Sequence, residues 1–317
     1  MHGPPATVRA GALFAILLMA IGCGDETFIL RLNPELGATY EVTTSIDTTA
    51  VQTVAGQEST TTQTMRTVHE MRFETAADGD SLDGVTTFVS TSVEMSSTVG
   101  DETIDSAAMD DVSATLNAVF AALAGKSFTT TVAADGRVTR VSGLDDIADI
   151  VVAAMDLSEE MKLMARESLR QTLSDASMKG TMSNMFIAHP AAEIAVGESW
   201  KSGVAISGIA AATTYTLAAV DDGIATITAT GDFRPDPGYT PGDGLPTLVY
   251  DELTGSQTGR YRLDVGTGML LHAATTSDMT GAARIDTSGL PPEIAAQLGP
   301  VLTSSASTVT VDVFKRD

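Results

Sequence analysis

Long runs of strict alternation constrain this chain more than any other feature of its sequence. Ala38, Tyr40, Val42, Thr44 and Ile46 share one face of an extended segment, and Thr39, Glu41, Thr43, Ser45 and Asp47 share the other. Between Thr61 and Thr75, Met65, His69, Met71 and Phe73 occupy odd positions, against Arg66, Glu70, Arg72 and Glu74 on even ones. From Val85 to Met95 the odd positions again hold Val85, Val89, Val93 and Met95. Side chains of a strand alternate between faces, so a period of two marks a half-buried strand. These runs exceed ten residues, about twice the usual ~5–6. Strands of that length twist and coil, which predicts a long, curved, antiparallel sheet, open like half a barrel. The acidic stretch at 78–84 reads as a turn between two of the strands.

The middle of the chain changes period. Val112, Leu116, Val119, Phe120 and Leu123 fall on one helical face, with Gly125 as a stop. A hairpin follows, with Phe128, Thr130 and Val132 before a turn at Asp135–Gly136 and Val138 after it. Leu144, Ile147, Ala148, Val151 and Met155 make a second helical stripe. Asp156 with Glu159 marks the start of a third, through Met161, Met164, Leu169 and Leu173 and ending before Gly180. Strands return at 200–207, 211–220, 224–233, 256–264, 269–279 and 304–314. Asp221-Asp222-Gly223 makes a turn, residues 234–245 a Pro- and Gly-rich loop, and residues 291–298 a short helix. The expected fold class is α+β, mainly β, with about three helices packed on the sheet.

A faint echo links the two parts of the chain. Gly37-Ala38-Thr39-Tyr40 and Gly197-Glu198-Ser199-Trp200 each open a strand, and Asp135-Gly136-Arg137-Val138 and Gly266-Thr267-Gly268-Met269 each turn into apolar residues. One α+β domain from 28 to 317 is expected, with two similar halves, about 28–185 and 186–317, as an open alternative within it.

The first residues read as an address. Arg9 is followed by thirteen residues without a charge, Ala10 to Gly22, and then by Cys23. That run suits the apolar part of a signal peptide and falls short of the ~20 residues a membrane-spanning helix needs. Met19-Ala20-Ile21-Gly22-Cys23 resembles the bacterial lipoprotein cleavage signal, with Ala20 where Leu is usual. The resemblance implies cleavage after residue 22 and lipidation of Cys23, with residues 23–27 as a short tether. Several acyl chains make a stable anchor, at ~0.8 kcal/mol per buried methylene. Cys23 is the only cysteine of the 317 residues, so a disulfide framework within the chain is excluded. The expected location is the cell envelope, outside the cytoplasm, with the outer membrane facing the periplasm preferred because Gly24 rather than Asp follows the cysteine.

The formal net charge is −23, and loss of Arg9 without loss of any acid takes it to −24. Such a surface disfavours nucleic acid and anionic membrane surfaces as partners. Hydrophobic residues make up 43% of the chain and aromatics only 5%, so aliphatic residues and methionine must fill the core.

No chemical constellation emerges. The histidines past the signal are His69, His189 and His272, and none sits at helical spacing from another. His69 shares a face with Met65 and Met71 and is expected to point inward; His189 precedes Pro190 at an expected bend. The turn from Asp78 lacks the ligand, Gly and Glu positions of a helix-loop-helix calcium site, since Leu82, Asp83 and Val89 stand there. Gly255-Ser256-Gln257-Thr258-Gly259 lacks the spacing of a nucleophile elbow, and Ser199 and Lys201 do not make a Ser-x-x-Lys pair. Met155, Met161, Met164, Met178, Met182 and Met185 are expected as core filler, with an adaptable apolar surface as the alternative. We therefore expect no enzyme activity, no cofactor and no metal.

Three pieces, Leu32-Asn33-Pro34-Glu35-Leu36-Gly37-Ala38-Thr39-Tyr40, Val196-Gly197-Glu198-Ser199-Trp200 and Tyr261-Arg262-Leu263-Asp264-Val265-Gly266-Thr267-Gly268, together resemble an uncharacterised family of bacterial lipoproteins, classified only as a domain of unknown function. The resemblance implies an envelope protein rich in antiparallel sheet and brings no activity with it. Three readings stay open: a non-enzymatic protein that binds or scaffolds another envelope component, a carrier or chaperone for a lipid or acylated ligand, and a hydrolase assembled around His69 or His272. A large apolar cavity would separate the second from the first, and a His within reach of Ser and Asp in a cleft would support the third.

Overall fold

The computed structural model describes residues 26–54, 56–100, 102–103, 106–155, 158–172, 178–179, 182, 185–206, 208–239, 248–285 and 301–316. The expected signal peptide, Cys23 and the short helix expected at 291–298 lie outside the described residues. The elements in chain order are β1 (Thr27–Phe28), β2 (Thr39–Val54), β3 (Gln57–Thr75), β4 (Leu82–Val99), β5 (Glu102–Thr103), α1 (Ser106–Leu123), β6 (Ser127–Val132), β7 (Val138–Ser142), α2 (Leu144–Ala154) and α3 (Glu159–Thr172). They continue with β8 (Ile194–Ala195), β9 (Ser199–Ile206), β10 (Ile209–Asp221), β11 (Ile224–Pro235), β12 (Leu248–Asp264), β13 (Leu270–Ile285) and β14 (Val301–Lys315).

Among the described residues the protein is mainly β, with three helices and one long antiparallel sheet that does not close. Its strand order is β7-β6-β4-β3-β2-β14-β13-β12-β11-β10-β9, with β5 beside β4, while β1 and β8 pair separately. Two meanders run outward from the centre and meet where β14 lies against β2. The turn between β10 and β11 is tight: Asp222 and Gly223 both take positive φ, at 50° and 77°, as a two-residue hairpin requires. The seam between the meanders pairs residues as distant as Thr48 and Ser307, whose hydroxyls bond at 3.0 Å. Past the end of β14, Arg316 donates to the Thr39 carbonyl at 2.8 Å, and its guanidinium bridges Glu41 on β2 and Glu70 on β3.

The largest apolar cluster lies at one end of the sheet, while Leu253, Ala283 and Val301 are buried at the other. Tyr40 and Val42 of β2, Met71 and Phe73 of β3, Leu263 of β12, Leu217 of β10 and Val311 and Val313 of β14 are buried together with Leu30 and Leu32. The face they share is the inner face, and the helices cover part of it. α1 lies on β4, α2 on α1 and α3 on α2. Leu144, Ile147, Ala148, Val151 and Val152 form the buried face of α2, while Arg166 and Arg170 of α3 both reach Asp149 of α2, at 2.8 and 3.5 Å. The third helix begins at Glu159 behind Ser158, whose hydroxyl accepts the Met161 N–H at 3.4 Å, rather than at Asp156, which lies outside the described residues. β11 also runs on through Arg234 to Pro235, two residues into the expected loop.

One expected face is wrong over half its length. Val68 pairs with Ser90 and His69 with Phe88, so Val89 is the extra residue of a β-bulge. A bulge shifts a strand's alternation by one. Val93 therefore stays inside, 1% exposed, while Val89 is 38% exposed and Thr86, not Val85, is fully buried. Alternation alone cannot register such a shift, because valine suits either face.

β6 pairs with β4 only along residues 82–87 and β5 only at residues 98–99, which leaves the stretch around Val93 on that edge without a strand partner among the described residues. Helix α1 supplies one group that a strand would. The Asn117 side-chain oxygen accepts the Val93 N–H at 2.9 Å, and its NH2 donates to the Val93 carbonyl at 3.1 Å. A single amide side chain thus continues the ladder and blunts an exposed edge. We expect Asn117→Ala to lower stability by about 1–3 kcal/mol, the cost of leaving two polar groups of a buried residue unpaired. A shift in urea unfolding midpoint checks this, and an unchanged midpoint contradicts it.

Candidate functional site

The structure disperses the sequence-predicted candidates. Cys23 lies outside the described residues. His69 does face inward, with its ring edge-on to Phe88 at 4.9 Å between centroids. His272 lies on the outer face, where its Nδ1 is 2.8 Å from Asp312 Oδ1, and both side chains are 39% exposed. Among the described residues no hydroxyl joins that pair, so it lacks the nucleophile a triad needs. The turn from Asp78 is a hairpin tip: the Asp78 carboxylate accepts the N–H groups of Asp80 and Ser81 at 3.0 and 2.9 Å, which holds it below the usual carboxylate range. Gly255 and Gly259 sit inside β12. Among the described residues no three His, Cys, Asp or Glu side chains converge as a metal site.

A different place gathers unusual groups. Residues 30–33 run between two turns. The Leu32 N–H donates to the Ala134 carbonyl at 2.9 Å, and the Asn33 N–H to the Thr267 carbonyl at 2.7 Å. A third segment joins them, as the His189 N–H donates to the Asp135 carbonyl at 2.8 Å. Two glycines permit this convergence. A Cβ on Gly268, at φ 63°, would overlap the Arg31 carbonyl, and a Cβ on Gly136, at φ 77°, would overlap the Ile187 carbonyl. Two of the pieces that resemble the lipoprotein family, at 32–40 and 261–268, are therefore in direct contact and act as structural joints.

Between these clamped segments lies an apolar cavity of about 30 Å³, lined among others by Leu32, Met71, Met185, His189, Met269 and Val313. It has room for a water or a small ion. His189 is 8% exposed and its Nδ1 is buried without a hydrogen-bond partner. Burial pulls its pKa down to about 4 against a smaller opposing pull from Asp135, and burial alone takes His69 to about 4. Both are therefore neutral near pH 7. Of the methionines here, Met71 lies in β3, Met269 just before β13 and Met185 in a turn, although sequence pattern placed Met185 with the helices; Met161 of α3 is 54% exposed. Met185 and His189 are four residues apart, but Met71 and Met269 are distant from them and from each other, so no motif unites the four.

Beyond the core the inner face changes character. Thr48, Ser307, Ser277, Gln257, Gly231 and Thr213 follow one another across six strands. Gln257 reaches over Gly231 to bond Thr213, and a Cβ on Gly231 would come within 2.8 Å of the Gln257 Nε2. An aromatic group marks the border between the two zones. Trp200 stacks on Tyr215 at 5.5 Å, Tyr215 meets Tyr261 at 5.8 Å, and the Trp200 indole donates to the Ala188 carbonyl at 2.6 Å. Burial raises the phenol pKa of both tyrosines.

Residues 83–270 match the model of a family of unknown function (DUF6263). No curated protein matches the chain. Among solved structures, one of lipid–protein interactions in lipovitellin aligns at 8% identity and a TM-score of 0.48 over 89% of this chain; the chain spans 26% of lipovitellin's length. OccK7 of Pseudomonas aeruginosa aligns at 5% identity and 0.25, over 88% of this chain and 100% of its own. An outer membrane channel of Pseudomonas putida F1 aligns at 9% and 0.21, over 89% and 97%. Similarities this low assign no function.

The two neutral histidines make stability depend on pH. Each has a folded pKa near 4 and an unfolded one near 6.5. Between those values the unfolded chain binds more protons, so stability falls as pH drops through the window. From pH 7 to pH 5 each should remove about 1–2 kcal/mol. Urea unfolding of His189→Leu should show a smaller loss over this range than the native chain, and parallel losses would contradict it.

Proposed function

Because the chain belongs to the family of unknown function DUF6263, which brings no activity with it, we propose that it is a lipid-anchored envelope protein that binds or scaffolds another envelope component without catalysis. Cys23 carries the anchor, and residues 24–26 separate it from β1, so the sheet stands close to the membrane. One observation carries the binding role: past the core, the inner face of an open sheet presents Ser, Thr, Gln and Gly side by side across six strands. A surface of small polar side chains on long strands suits an extended polar partner, which can use both the hydroxyls and the unclosed sheet edges.

The carrier alternative asks for an apolar cavity of roughly 300 Å³ or more. The apolar cavity at the core holds about 30 Å³, and the row from Thr48 to Thr213 past it is polar, with Met279, Phe233 and Leu253 further along the same face. Binding of a partner is therefore the reading we prefer.

A photo-crosslinking amino acid at Ser277, on the inner face, should capture a discrete partner in intact cells, and the same group at the neighbouring outer position Thr276 should not. Cys23→Ser should leave an unprocessed precursor and abolish the adduct. Equal capture from both positions would refute the binding face. A lipid adduct from Ser277 would replace it with the carrier, and a normally processed, membrane-bound Cys23→Ser protein would remove the anchor.

A further inference from the structure

We propose that Met71, Met185, Met269 and His189 form a binding site for a soft monovalent cation, copper(I) being the biological ion of that class. Four features of the cavity carry this. Three thioether side chains and one imidazole line a single space of about 30 Å³. The His189 Nδ1 is buried and unpartnered, a state that a bound cation would relieve and an apolar core does not. His189 is uncharged down to about pH 4 through burial, so protons do not compete for its lone pair at neutral pH. The rest of the lining is aliphatic and aromatic side chains and a glycine, with no carboxylate.

That donor set selects its ion. Thioether sulfur is soft and uncharged and favours copper(I), whereas calcium, magnesium and manganese take oxygen ligands, and zinc takes thiolate, imidazole or carboxylate. A monovalent ion also leaves little net charge to bury, and the net charge of −23 draws cations toward the protein. The site is preorganised. Met269 follows Gly268, which packs against Arg31, and His189 is held by its own N–H on Asp135 beside Gly136. Met71 comes from β3, in the packed end of the sheet. Binding changes no oxidation state and breaks no bond.

Silver(I) is a redox-inert probe of the same charge and softness. The test uses the full chain with methionine methyl groups labelled with carbon-13. It carries Cys23→Ser to remove the thiol. One equivalent of silver(I) should move the methyl resonances of Met71, Met185 and Met269 and the ring resonances of His189, while Met161 stays in place. A copper(I) chelator competition should then show one tight site, weakened roughly tenfold or more by Met269→Leu or His189→Gln and unchanged by Met161→Leu. Methionine and leucine are close in volume, so the fold should survive the swap; if a variant does not fold, the methyl shifts of the unsubstituted site decide alone. Unmoved Met71, Met185 and Met269 resonances, or equal shifts at Met161, would overturn the proposal.

Discussion

The pairing of β14 with β2 holds the two halves of the sheet in one piece. Fifteen residue pairs, from Val301 with Val54 to Lys315 with Tyr40, join segments separated by almost the whole described chain. The other neighbours in the path from β2 outward, and from β14 outward, are consecutive strands, except that β5 and α1 intervene between β4 and β6. Contacts at such separation are entropically costly to form early. The two meanders can each assemble locally, but the apolar cluster needs both, since Tyr40 and Val42 from one side pack with Leu217, Leu263 and Val311 from the other. Ion pairs at the end of the seam, Lys315 with Glu35 and Arg316 with Glu41 and Glu70, are half-exposed and add little.

Concentrating the core at one end has two consequences. There the backbone is over-determined, because three loop segments are hydrogen-bonded to one another around glycines that admit no side chain, and a buried histidine can be kept neutral and unpaired in their midst. Further along, the same strands carry a polar row from Thr48 to Thr213 on the inner face, ahead of buried Leu253, Ala283 and Val301, and threonines such as Thr230, Thr258 and Thr276 exposed on the outer one. Threonine satisfies the β-branched preference of a strand and remains soluble.

This division also decides what could be read from the sequence. β2 and β3 were legible because Tyr40, Val42, Met71 and Phe73 alternate with charged residues at the packed end. The three helices were legible from their apolar stripes, and α1 ends as Gly125 indicates. β12 and β13 extend further than their patterns show, from Leu248 and to Ile285, because the added residues include Thr254, Gly255, Thr280 and Gly281, which carry almost no hydrophobic contrast. The bulge at Val89 was hidden because valine is acceptable on either face. The cavity was hidden for a topological reason: Met71, Met185 and Met269 meet only through the long-range seam. The lipoprotein-like start is a property of sequence alone, and the described residues do not touch it.

The central claim is that β2 and β14 form one cooperative seam, and hydrogen exchange measures it directly. Amides of residues 42–47 and 308–313 should exchange together, among the slowest in the protein, with the same dependence on denaturant as global unfolding. Fast exchange along β14 while β2 remains protected would show the last strand to be a loose appendage and would contradict the account.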